Sequence, residues 1–98
     1  MSSFFLSEIA EQDIDDIVTY IAQDSQKAAM KLLDSLFHTM DILVVNPMLG
    51  HIREDLTNKP VRFLTFKWHY LIIYKPSNPI EIVRILSGYR DISNILMI

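Results

Sequence analysis

The apolar residues of this chain repeat at one period up to about residue 45 and at another after about residue 60, and that switch limits the folds open to it. Ala10, Ile14, Ile17, Val18 and Ile21 carry the spacing of a single stripe down an α-helix. Ser7 stands where an N-cap belongs, and Glu8 and Glu11 follow in the first turn, where negative charge suits the helix dipole. Asp13, Asp15 and Asp16 are displaced from the stripe. Side chains one or two positions apart on a helix do not converge on a cation, so this trio is expected on a solvated face. A turn at Asp24–Ser25 leads to Ala29, Leu32, Leu33, Leu36, Phe37, Met40, Leu43 and Val44, which repeat the helical spacing for about four turns. Asn46-Pro47 ends the run, with Gly50 in the loop beyond. Two amphipathic helices joined by so short a turn lie antiparallel, as a hairpin.

From His51 to Lys59 the chain is polar and aperiodic, a surface loop. Short β-branched and aromatic runs follow at Val61–Phe66, Tyr70–Lys75 and Ile80–Ser87. Lys67-Trp68-His69 turns the first into the second, and Pro76-Ser77-Asn78-Pro79 turns the second into the third, since neither proline continues a central strand. Three strands so connected form an antiparallel meander, which an opening strand at Ser2–Leu6 can join. The order is β-α-α-β-β-β: an α+β domain over residues 1–98, with a helical hairpin packed on a small, mainly antiparallel sheet.

Composition narrows the function. The 98 residues include no cysteine, which excludes disulfide scaffolds, thiol chemistry and Cys-ligated zinc and suits a reducing cytoplasm. Apolar stretches such as Ile42–Val45 fall far short of the roughly 20 residues of a membrane helix, and Met1–Glu8 has no basic segment ahead of its apolar residues, so neither membrane nor signal peptide is expected. The net charge of −3 is unevenly spread, −6 over residues 1–50 and +3 over residues 51–98, as in a molecule with two different faces.

Few side chains suggest chemistry. His38, His51 and His69 lack the spacing of a metal pair, and with two glycines in all, Gly50 and Gly88, no phosphate-cradling loop exists. No metal and no cofactor are expected. The arginines of the basic half say more. Plain alternation puts Ile80, Ile82, Arg84 and Leu86 on one face of the last strand and Glu81, Val83 and Ile85 on the other. A guanidinium in so apolar a strand needs a carboxylate, for which Asp91, Glu54 and Asp55 are candidates for Arg84 or Arg90, or else an anionic ligand such as RNA phosphate or an acidic protein segment.

The segments Phe5-Leu6-Ser7-Glu8-Ile9-Ala10-Glu11-Gln12-Asp13-Ile14 with Ile17 and Tyr20-Ile21-Ala22, Asn46-Pro47-Met48-Leu49-Gly50, Val61-Arg62 with Leu71-Ile72-Ile73-Tyr74, and Ile82-Val83-Arg84-Ile85-Leu86-Ser87-Gly88-Tyr89-Arg90-Asp91-Ile92 occur in order over nearly the whole chain. Together they resemble the RelE/ParE superfamily of type II toxin–antitoxin systems, and ParE more closely than RelE. The resemblance implies a toxin neutralised by direct contact with a cognate antitoxin, the hairpin and sheet offering an apolar groove to an antitoxin segment that folds on binding.

ParE-like members are associated with inhibition of DNA gyrase, RelE-like members with ribosome-dependent mRNA cleavage. A third reading is a homologue that binds an antitoxin without being toxic. In the nuclease reading Arg62, Arg84 and Arg90 surround the scissile phosphate, with Lys59 near a further basic position. A metal-free nuclease also needs groups that take and give protons, and the segment from Ile92 to Ile98 contains no tyrosine or histidine. The resemblance therefore favours a gyrase inhibitor with no catalytic set. Arg62, Tyr74, Arg84, Arg90, Leu96 and Ile98 are its expected contacts with antitoxin or target.

Overall fold

The computed structural model describes residues 4–67 and 69–88. Its elements run β1 (Phe4–Leu6), α1 (Glu8–Ala22), α2 (Gln26–Val45), β2 (Arg62–Phe66), β3 (Tyr70–Lys75) and β4 (Ile80–Ser87). The four strands form one sheet in the order β1-β4-β3-β2. β2, β3 and β4 make the expected antiparallel meander, and β1 joins its edge parallel to β4, Phe4 opposite Ile80 and Leu6 opposite Ile82. The opening strand thus begins at Phe4 among the described residues, Ser2 and Ser3 lying outside them.

Both helices start as their sequences require. The Ser7 and Ser25 hydroxyls accept from the main-chain N–H groups of Ala10 and Ala28, each at 3.0 Å, satisfying donors that a first helical turn leaves unpaired. α2 ends at Val45 with Asn46 as its C-cap, because Pro47 disfavours helical backbone at the residue before it. The β2–β3 connection turns through Lys67, whose φ of 49° is left-handed.

The core lies between hairpin and sheet. Ala10 and Ile14 of α1, Leu32, Leu36, Met40 and Leu43 of α2, and Phe66, Ile72, Tyr74, Ile80, Ile82 and Ile85 of the sheet are buried together. The other sheet face is apolar too: Val61, Phe63, Leu71, Ile73 and Leu86 form a second cluster, with Leu56 of the loop and Val83 against it. Among the described residues no helix is long and apolar enough to cross a membrane.

One expectation about β4 fails at a single residue. Ile73 pairs with Arg84 while the next residue, Tyr74, pairs with Ile82. Val83 is therefore an extra residue, a bulge, and side-chain alternation changes phase across it. Ile80, Ile82 and Ile85 join the helix-side core, whereas Leu86 belongs to the opposite cluster. The even-numbered face expected from plain alternation does not exist, because a bulge depends on what strand and partner meet and leaves no mark in the hydrophobic pattern.

Met40 is fully buried, whereas Met30 on the same helix is 55% exposed. Met40→Ala is expected to lower unfolding free energy by about 3 kcal/mol, as for large-to-small changes in a packed core. Met30→Ala should stay within about 0.5 kcal/mol of the parent. Urea denaturation of the two variants checks both.

Candidate functional site

Where β1 ends, α1 takes over the outer edge of β4. The Ser7 main-chain N–H donates to the Ile82 carbonyl at 3.0 Å, and its hydroxyl donates to the carbonyl of the bulged Val83 at 2.8 Å. Nearly two turns later Asp13 accepts three hydrogen bonds from β4: from Arg84 Nε at 2.8 Å, Arg84 Nη2 at 2.9 Å and the Ile85 main-chain N–H at 3.0 Å. The Arg84 and Asp13 side chains are 19% and 13% exposed. The bonds to Asp13 hold the Arg84 guanidinium even more firmly protonated than usual, against the opposing pull of its burial.

The carboxylate that Arg84 binds is thus Asp13, and not Glu54 or Asp55 as the sequence allowed; Asp91 lies outside the described residues. Asp13 was expected on a solvated face with Asp15 and Asp16, yet only those two are exposed. A signal was present in the sequence. Asp13 lies three residues after Ala10 and four before Ile17, on the flank of the apolar stripe, where an acid at the edge of the packed face requires a partner. Asp55 is engaged elsewhere: Arg53 binds it in a two-bond pair, 3.0 and 2.7 Å, and this hydrogen bond is the main reason its carboxyl sits below its usual pKa.

Arg62 and Tyr74 are cross-strand partners on β2 and β3, and they meet the chain as it leaves α2. The Tyr74 hydroxyl accepts from the Gly50 N–H and donates to the Pro47 carbonyl, both at 2.8 Å. Arg62 Nη1 donates to the carbonyls of Gly50 at 2.7 Å and Met48 at 3.4 Å. His51 then pairs with Phe63 through two 2.8 Å main-chain bonds. A Cβ on Gly50 would sit 2.8 Å from the Tyr74 ring and hydroxyl and 3.0 Å from the Phe63 carbonyl, so only glycine lets the loop approach this closely.

Tyr74 is fully buried and offers a partner no surface; its part is to hold the loop. Burial pushes its phenol above the usual pKa, opposed by the Gly50 N–H and the Arg62 charge. Arg62 stands half-buried beside the loop. Arg90, Leu96 and Ile98 lie outside the described residues. Of the three candidate arginines the structure describes two and separates them, Arg84 bound into the α1–β4 joint and Arg62 at the α2–β2 loop.

Two features at these places escaped sequence reasoning. Met48, Leu49 and Ile52, on the clamped loop and just after it, are exposed beside a hollow of about 210 Å³ lined by Met48, Ile52, Lys59, Pro60, Val61, Arg62 and Pro76. Their signal was an apolar composition outside any helical or strand repeat. Along α1, Glu8, Glu11, Gln12 and Asp15 line a wider groove of about 400 Å³ with Ile14, Val18 and Leu33. His38, His51 and His69 are all exposed, and among the described residues no group of three or more His, Cys, Asp or Glu is placed to hold a metal ion.

Replacing Asp13 by alanine strands the Arg84 guanidinium in a largely buried setting. It should cost about 3 kcal/mol in chemical denaturation, while Asp13→Leu with Arg84→Met together should recover most of that loss. Tyr74 gives a pH test. Its folded-state pKa lies above the unfolded value, so its contribution to stability is present below about pH 10 and lost as pH rises beyond it. Between pH 8 and 11 the parent should lose more stability than Tyr74→Phe, as read from urea midpoints at each pH.

A search among curated proteins finds no match to this chain. Among solved structures, a chain titled as the chromosomal ParDE TA system from P. aeruginosa superposes with a TM-score of 0.72 at 23% identity, covering 91% of this chain and 98% of that one, which establishes the likeness of fold. The family described as the ParE toxin of type II toxin-antitoxin system, parDE, matches residues 4–92. On a match of that extent, the chain belongs to the ParE toxin family.

Proposed function

We propose that this protein is the toxin of a type II toxin–antitoxin pair, acting in the cytoplasm by binding and inhibiting DNA gyrase and neutralised by a cognate antitoxin. The observation that carries the reading is the family match over residues 4–92. The fold neighbour from P. aeruginosa is titled as a ParDE system, which supports an antitoxin as partner here.

Two features of the geometry favour binding over RNA cleavage. Both donors on the outer edge of the Arg84 fork are taken by Asp13, so its charge is already compensated and a scissile phosphate would have to displace a bidentate carboxylate. Beside Arg62, the hydroxyl of Tyr74 is buried and committed to Pro47 and Gly50, with its pKa raised. That phenol is poorly suited to accept a proton from a ribose 2′-hydroxyl.

Induction in a bacterial host, with DNA integrity and mRNA integrity followed together, tests the proposal. Filamentation and DNA breaks with intact mRNA are expected, suppressed when the antitoxin encoded beside the gene is co-expressed, and the purified chain should inhibit gyrase supercoiling in vitro. Rapid mRNA cleavage with undamaged DNA would instead make the protein a ribonuclease. Unimpaired growth would make it an antitoxin-binding homologue without toxicity.

A further inference from the structure

The loop after α2 combines two properties that seldom occur together in an unbound surface. Its side chains are apolar and exposed, Met48 at 62%, Leu49 at 47% and Ile52 just beyond at 60%. Yet its main chain is held by four side-chain hydrogen bonds, two to Tyr74 and two to Arg62. Exposed apolar side chains on a mobile loop can fold away from water, whereas these are kept outward by the sheet beneath them. A surface ordered in advance loses little conformational entropy when something covers it.

Arg62 adds a specific polar demand. Of its guanidinium, Nη1 serves the two carbonyls of the loop; the Nε and Nη2 edge has no partner among the described residues. That is the same edge with which Arg84 grips Asp13, and its geometry matches a carboxylate. Arg62 also lines the hollow with Met48, Ile52, Lys59, Pro60, Val61 and Pro76, a mostly apolar recess about the size of one or two side chains. Two cations, Arg62 and Lys59, beside an apolar recess with no aromatic side chain among its described lining residues fit an acidic protein segment better than a nucleic acid, which favours an aromatic platform for its bases.

We infer that this face, built from Met48, Leu49, Ile52 and the free edge of Arg62, is a docking site for an acidic, apolar segment of the antitoxin, which sets an apolar side chain in the hollow and a carboxylate on Arg62. The inference rests on the proposed toxin–antitoxin pairing and adds to it where the antitoxin seats and what chemistry that segment carries. Charge complementarity argues for this occupant, since the hollow is lined by Lys59 and Arg62 with no acidic side chain among its described lining residues, and the carboxylate of Asp55 is already taken by Arg53.

The test is a titration of the full chain with the antitoxin encoded beside its gene, by calorimetry, for the parent and for Ile52→Asp, Met48→Asp and Arg62→Met. Ile52 and Met48 are exposed, so their variants should keep the parent's urea midpoint, which guards against a folding defect mistaken for a binding one. Each of the three should weaken binding at least tenfold, and Ile52→Asp with Arg62→Met should be less than additive. Parent binding with Ile52→Asp and Met48→Asp within twofold of it would overturn the site while leaving the pairing intact, whereas no parent complex would overturn both. A homodimer dissolved by Ile52→Asp, or RNA-oligomer binding abolished by Arg62→Met, would assign the face to another occupant and overturn the proposal.

Discussion

The Asp13 carboxylate connects the two halves of this molecule. A helical hairpin packed on a sheet has freedom to slide and rotate, because apolar contacts are not directional. Three hydrogen bonds from Arg84 and Ile85 to one carboxylate remove that freedom at a single place, and the Ser7 hydroxyl on Val83 anchors the start of the helix. The bulge at Val83 is part of the same arrangement. It inserts an extra residue into β4 beyond the last β1 pair, and the start of α1 satisfies the main-chain groups left on that edge. A short edge strand, a bulge and a capped helix thus act as one joint.

A second joint, where the chain leaves the hairpin, follows the same logic with different chemistry. There the sheet offers a phenol and a guanidinium, and the chain leaving α2 offers main-chain carbonyls and the Gly50 N–H. The two arginines lie on one sheet and have opposite fates. Arg84 faces an acid that the helix brings to it and becomes part of the framework. Arg62 faces main chain alone and keeps the carboxylate-binding edge of its fork unused among the described residues. Function in a family built on a small scaffold resides in such differences between sites more than in the fold.

Much of this was legible from residue order. Caps at Ser7 and Ser25, the stop at Asn46-Pro47, the two apolar stripes and the three strand runs follow from local rules of backbone and side chain, and the structure repeats them. What local rules miss is the phase of β4 after Val83, because two residues facing one is a property of the strand pair. They also miss the role of Asp13. Its neighbours Asp15 and Asp16 are solvated, and only the packing of α1 against β4 separates the three. Tyr74 read as a contact residue for the converse reason: an aromatic residue with a polar tip suits a surface as well as a core, and Pro47 and Gly50 come within reach of its hydroxyl only when α2 ends beside β3.

The sequence by itself determined the elements, their order, the α+β class and the family, because periodicity, caps and turn residues act over a few positions and survive without knowledge of neighbours. Only the tertiary structure decided which charges are spent and which remain available. Arg84 and Asp13 stand 71 positions apart, and Tyr74 lies 24 from Gly50. No pattern over a few residues can report a meeting at such separations, since it depends on how helix and sheet faces pack.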